Sequence, residues 1–172
     1  MSRYHDDHLQ PDGAAERLLA ARGASITVRP ALEGDLPALA RLEALCFAEQ
    51  PYPFFVLRQL FDVHGRHLLV IGTSTEVYGY VLLAAGPGRD RNWVLSIAVA
   101  AEYRGHGYGR RLMTELHLLA SAEGIGDLWV TVAPENAASL TLAHSLGYVV
   151  AGRAQDYLGP GQDRLVMVCR AG

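Results

Sequence analysis

The twelve residues Glu102 to Met113, EYRGHGYGRRLM, hold three glycines and three arginines. They follow the apolar run NWVLSIAV (92–99) and lead into Leu112, Leu116 and Leu119, which recur at helical spacing. A strand, a glycine loop and a helix therefore meet here. The start of a helix exposes N–H groups without intrahelical partners and the positive end of the dipole, so it attracts anions. Glycines at 105, 107 and 109 admit positive φ and let a ligand approach the backbone without a Cβ in the way. Such a cradle suits a phosphate or pyrophosphate, with Arg104, Arg110 and Arg111 as countercharge; the plainer alternative is an unliganded tight turn.

Two nucleotide motifs compete for this stretch. A phosphate loop of the Walker type requires Lys-Ser/Thr after the last glycine, where Arg110-Arg111 stand. A dinucleotide fingerprint requires G-x-G-x-x-G early in a βαβ unit. Here the spacing is G-x-G-x-G and about a hundred residues precede it. Neither fits.

Working outward, SITVRP (25–30) predicts a first strand. Asp35 is the expected N-cap of a helix with Pro37 in its first turn and apolar Leu36, Leu39, Leu42, Ala44 and Leu45. After PYPFF, the segment FFVLRQLFDVHG predicts a second helix closed by Gly65. HLLVIG and VYGYVLLAA are strands around a turn near Ser74, and Gly-Pro-Gly-Arg-Asp (86–90) turns into NWVLSIAV. The helix from Gly107 stops at Gly124 and Gly126. LWVTV is then a strand, NAASLTLAHSLG a helix closed by Gly147, and YVVAGRAQDY and RLVMVCR two final strands. The order β-α-α-β-β-β-α-β-α-β-β implies a mixed sheet with helices on its faces. Residues 1–24 read as a tail with a short helix in AAERLLAARG, and 25–172 as the folded domain. His5 and His8 in that tail read as solvated rather than metal-binding.

Composition narrows the function. Half the residues are hydrophobic and 19% are charged, enough for a core, and the net charge of −3 carries no basic block. That argues against nucleic-acid binding and a membrane-surface role. Cys46 and Cys169 read as free thiols of a reducing compartment. No run approaches the roughly 20 apolar residues of a membrane span, and the N-terminus lacks a signal-peptide core. A cytoplasmic protein is expected.

SIAVAAEYRGHGYGRRLM resembles the coenzyme A motif of the GNAT superfamily of acyl-CoA N-acyltransferases, R/Q-x-x-G-x-G/A after a strand. LWVTVAPENAASLTLAHSLGYVVAGR is similar to that superfamily's next strand–helix block, N-x-x-A/S-(I/L)…G-(Y/F). The resemblance spans about Ser25 to Cys169. PYPFF and DYLGPGQDRLVM look most like protein N-terminal acetyltransferases, the ribosomal-protein alanine type among them.

The resemblance implies an α/β (α+β) fold with a mixed, mostly antiparallel sheet of about seven strands and helices on both faces. It implies acetyl-CoA as co-substrate and no metal. The backbone of Ile97, Ala98 and Val99 would pair with the pantetheine arm. Arg104 and the backbone of Gly105, His106, Gly107, Tyr108, Gly109 and Arg110 would hold the pyrophosphate. Asn136 would bond the pantetheine as well as capping its helix, and Tyr52 and Tyr157 would flank the acceptor. The family's usual tyrosine acid falls on Ala143 and the usual strand-five base on Thr131, so both proton carriers are missing. His144 and Tyr148 are the nearest substitutes, although His144 is turned about 100° from Ala143 along a helix and Tyr148 suits the core.

A site without a base favours an amine of low pKa and predicts no enzyme inflection in the pH profile near 6 to 7. Acetyl transfer to a peptide or protein α-amine is therefore expected. A small-molecule amine acetyltransferase is the alternative within the family, and a weakly catalytic acyl-CoA-binding module the alternative outside it. A homodimer is compatible with the sequence.

Overall fold

The computed structural model describes residues 25–85 and 91–171. The tail with its expected helix, His5 and His8, and the turn expected at 86–90, lie outside the described residues. The strands are β1 (Thr27–Pro30), β2 (Leu68–Gly72), β3 (Val77–Ala85), β4 (Asn92–Val99), β5 (Leu128–Val132), β6 (Val149–Ala154) and β7 (Arg164–Cys169). The α-helices are α1 (Leu36–Cys46), α2 (Phe54–His64), α3 (Tyr108–Ala122) and α4 (Ala137–Ser145). The strands form one sheet in the order β1-β2-β3-β4-β5-β7-β6, antiparallel except between β4 and β5. The expected fold class and element order are those of the structure.

The central strands read as unbroken apolar runs because both faces of the sheet are covered. Side chains alternate along a strand. Leu68, Val70, Tyr80 and Leu82 therefore pack with Leu36, Leu39, Leu42 and Leu57 of α1 and α2. Leu69, Ile71, Val81 and Leu83 pack on the other face with Leu112, Met113 and Leu116 of α3 and Ala143 of α4.

Two details depart from the sequence expectation. Asp35 stands before α1, yet its carboxylate makes no cap bond to that helix. It turns back to accept the Leu32 N–H at 2.7 Å and both Arg29 Nη groups at 2.7 and 3.0 Å. A bidentate guanidinium outcompetes a single helix amide for the same oxygens. On α1, Ala44 and Leu45 were expected among the apolar positions. Both are exposed, Leu45 by 77%, and Glu43 is buried instead.

The guanidinium of Arg29 holds the Asp35 carboxyl below the usual carboxylate range, with the Leu32 amide adding to the effect and burial opposing it. Because the folded pKa lies below the unfolded one, this stabilisation is complete above the ordinary carboxylate range and is lost as pH falls through the folded value. Asp35→Asn should cost about 2 kcal/mol near neutral pH. Denaturant melts should show the gap between variant and wild type closing as pH falls below the ordinary aspartate value of about 3.9.

The feature that matters for function lies in β4. Leu82 pairs with Ser96 and Leu83 with Val94, so Leu95 is the extra residue of a bulge. Bulges bend a strand and end its pairing locally. Accordingly β4 pairs with β5 only at Asn92–Val94, while β5 continues to Val132 against β7. From Leu95 onward the two strands part.

Candidate active site

A cavity of about 630 Å³ fills this opening. Leu95, Ser96 and Ile97 of β4 and Val130, Thr131 and Val132 of β5 form its sides. One end is lined from the α1 side by Glu43, Cys46 and Tyr52; Met113, Asn136 and Ala143 line the end toward α3 and α4. The opening thus connects the two faces of the sheet.

The glycine loop lies at the start of α3, and none of residues 104–110 lines the cavity, which meets α3 at Met113. Gly105 has φ +82° and Gly107, the residue capping α3, has φ +75°, both in the left-handed region that favours glycine. A Cβ at either would meet no protein atom within 4 Å. Gly109 differs: its Cβ would lie 3.4 Å from Leu142 Cδ2, so it sets how closely α3 and α4 approach. His106 folds back onto the loop, with Nδ1 3.0 Å from the Arg104 carbonyl and its ring stacked on Tyr108.

The arginines are placed differently from one another. Arg104 donates from Nε to the Val99 carbonyl at 3.0 Å, and Arg111 donates to the Ile26 carbonyl at 3.0 Å. Arg110 is exposed in the first turn of α3. Two of the three guanidiniums expected as countercharge thus brace the strands beside the loop. The Val99 carbonyl is also approached by Cys46 Sγ at 3.7 Å.

Asn136 caps α4 by accepting the Ser139 N–H at 3.0 Å, and it also lines the cavity. Ala143 and Thr131 both line it. His144 does not: it is exposed, with Nδ1 3.2 Å from the Tyr148 carbonyl. Tyr148 is buried away from the cavity, its hydroxyl 3.0 Å from His117 Nε2, and burial raises its pKa. The same burial lowers the pKa of His117. Tyr52 lines the α1 side, but Tyr157 is exposed and lies outside the lining, where Leu158, Gln162 and Arg164 take part instead. Among the described residues no cluster of three metal-ligating side chains occurs, and no helix is long and apolar enough to cross a membrane.

The sequence reading missed Glu43. It is 1% exposed yet lines the cavity. Its Oε1 accepts from the Tyr80 hydroxyl and, at 3.4 Å, from Ser96 Oγ, while Oε2 accepts the Tyr52 N–H at 2.8 Å. Burial raises its pKa, partly opposed by the Tyr52 amide and Ser96. The signal was there: Leu36, Leu39 and Glu43 share the i, i+3, i+7 face of α1.

The acetyltransferase (GNAT) family profile matches residues 36–148, and the chain belongs to that family. It is similar to the N-alpha-acetyltransferase RimI of Mycobacterium tuberculosis, 31% identical over 83% of this chain and 90% of that one. It is also similar to the streptothricin acetyltransferase of Streptomyces lavendulae, 28% identical over 53% of this chain; the match spans about half (48%) of that protein. The ribosomal-protein-alanine N-acetyltransferase of Brucella melitensis superposes with a TM-score of 0.72 at 26% identity, over 84% of this chain and 99% of that structure.

Proposed function

We propose that this protein transfers the acetyl group of acetyl-CoA to a primary amine, and that the amine is the α-amine of a peptide or protein. The opening between β4 and β5 carries this reading, because it runs from a buried carboxylate on one face of the sheet to Met113 of α3 and Asn136 of α4 on the other. Acetyl-CoA would lay its pyrophosphate at the first turn of α3, where N–H groups and the dipole favour anions. Its pantetheine would follow the unpaired edge of β4 as an added strand would, with Asn136 alongside. The acetyl group would then reach the gap near Ile97 and Ala143. The acceptor would enter from the α1 side past Tyr52.

The chemistry needs a neutral nitrogen to attack the thioester carbonyl and a thiolate to leave. A thiolate is a fair leaving group unaided, given a thiol pKa of about 8.5. The likeness to RimI supports a protein α-amine, and that to the streptothricin acetyltransferase favours a small amine as the second reading. The two unbridged thiols, Cys46 and Cys169, suit a reducing cytoplasm.

Steady-state release of free thiol from acetyl-CoA tests this, using a panel of α-amine peptides, lysine-bearing peptides with blocked N-termini, and small polyamines. Release should depend on the amine and be fastest with free α-amines. Faster release with small amines would install the second reading. Binding of acetyl-CoA without release for any amine would leave only an acyl-CoA-binding module.

A further inference from the structure

We infer that Glu43 is the general base of this reaction, taking the proton of the attacking nitrogen directly or across the Ser96 hydroxyl. The inference rests on the acetyl-transfer reading above. Asp35 and Glu43 are the buried carboxylates among the described residues. Asp35 is neutralised by Arg29, whereas no cation among the described residues pairs with Glu43. A buried charge without a counterion costs several kcal/mol. An apolar residue would serve the α1 face at that position, as Leu36, Leu39 and Leu42 do. A carboxylate buried there without a counterion, at the wall of the cavity, is the kind of group found at functional sites.

Its surroundings fit proton transfer. Three neutral donors converge on it: the Tyr80 hydroxyl from β3, Ser96 Oγ from β4 and the Tyr52 amide from the α1–α2 connection. Ser96 Oγ also lies 2.8 Å from the Tyr80 hydroxyl. Ser96 directly follows the bulged Leu95 and lines the cavity, so it stands between the carboxylate and the space where β4 leaves β5. The charged side chains at the cavity wall besides Glu43 are Glu49 and Arg164. Packed against α1, Arg58 of α2 pairs with Asp62 and with Glu33 of the preceding turn at the surface.

The step balances within the site. The nitrogen lone pair forms the bond to the acetyl carbon, and the carbon–sulfur bond breaks with its electron pair on sulfur. The nitrogen's surplus proton passes to the Glu43 carboxylate, and from there to the thiolate or to water, which restores the base. Burial, by raising the carboxyl's pKa, brings the base closer to the working pH.

The test is a pH profile of kcat/KM with coenzyme A affinity measured alongside. Wild type should show an acid limb from Glu43 in addition to the rise set by the amine's own ionisation. Glu43→Gln should lower kcat/KM by about 100-fold or more, abolish that limb and leave coenzyme A affinity unchanged. A carboxamide keeps only one of the two acceptor oxygens and so rearranges the hydroxyl network, whereas Ser96→Ala gives an independent arm with the carboxylate intact. Removing a donor from the charged form should move the acid limb to higher pH by about one unit. A Glu43→Gln enzyme within about threefold of wild type, or a Ser96→Ala limb that stays in place, would overturn the inference while leaving acetyl transfer standing. A wild type that acetylates no amine would overturn the functional reading itself.

Discussion

Gly107→Val is expected to weaken coenzyme A binding by tenfold or more, while His106→Ala leaves it within about twofold. Gly107 sits at φ +75° immediately before α3, and no protein atom would clash with its Cβ. The penalty is conformational: a side chain in the left-handed region costs roughly 1–2 kcal/mol, with β-branched valine among the worst placed. The free loop can relax away from that conformation, but the ligand needs it restored, so the strain appears as lost affinity. Tenfold corresponds to about 1.4 kcal/mol, within that range. Gly109→Val should weaken binding comparably by a different route, because its side chain would press on Leu142 and Val99 and shift α4 against α3. His106 turns its ring back onto Tyr108 and the loop carbonyls, so its removal leaves the helix start in place. Titration calorimetry should show this order. Weak binding in His106→Ala with normal binding in Gly107→Val would replace the backbone cradle by side-chain recognition.

Peptides with a free α-amine should be acetylated about 100-fold faster or more than the same peptides bearing only lysine amines. An α-amine of pKa near 7.7 is about one-sixth neutral at pH 7, whereas a lysine near 10.4 is neutral about once in 2,500. The ratio of reactive species is about 400 before any contact is counted. A carboxylate base does not erase it, because Glu43 takes its proton from whichever nitrogen is presented and supplies no affinity for one amine over another. The presence of Glu43 does change the expected pH dependence. The sequence alone shows neither acid nor base and predicts no enzyme inflection. A buried carboxyl with a raised pKa adds one above the ordinary glutamate range, distinct from the rise set by the amine because Glu43→Gln would remove it. Comparing kcat/KM for paired peptides across pH would check both features, and equal rates for the two amines would contradict the first.

The parts of this site legible in the sequence were those written in local pattern. Glycines between a strand and a helical repeat announced the loop, and Gly105 and Gly107 indeed have positive φ. The order of strand and helix patterns announced a mixed sheet with helices on its faces, and both faces are indeed covered. What escaped depended on register and tertiary contact. The Leu95 bulge exists only in the pairing of β4 with β3, and NWVLSIAV reads the same with or without it. Glu43 was passed over because a glutamate between leucines is ordinarily a solvated face residue; the Tyr80 and Ser96 hydroxyls that make its burial tolerable come from strands far away in sequence. Arg104 and Arg111 read as countercharge because they flank the glycine loop, and their carbonyl partners at Val99 and Ile26 could not be seen from the motif.

The most direct measurement is mass spectrometry on a peptide carrying both a free α-amine and a lysine, incubated with the enzyme and acetyl-CoA at neutral pH. The acetyl group should be found on the N-terminal nitrogen, in amounts matching the thiol released, with the lysine essentially unmodified. Acetyl groups mainly on the lysine side chain, or an unmodified peptide beside intact bound acetyl-CoA, would contradict it.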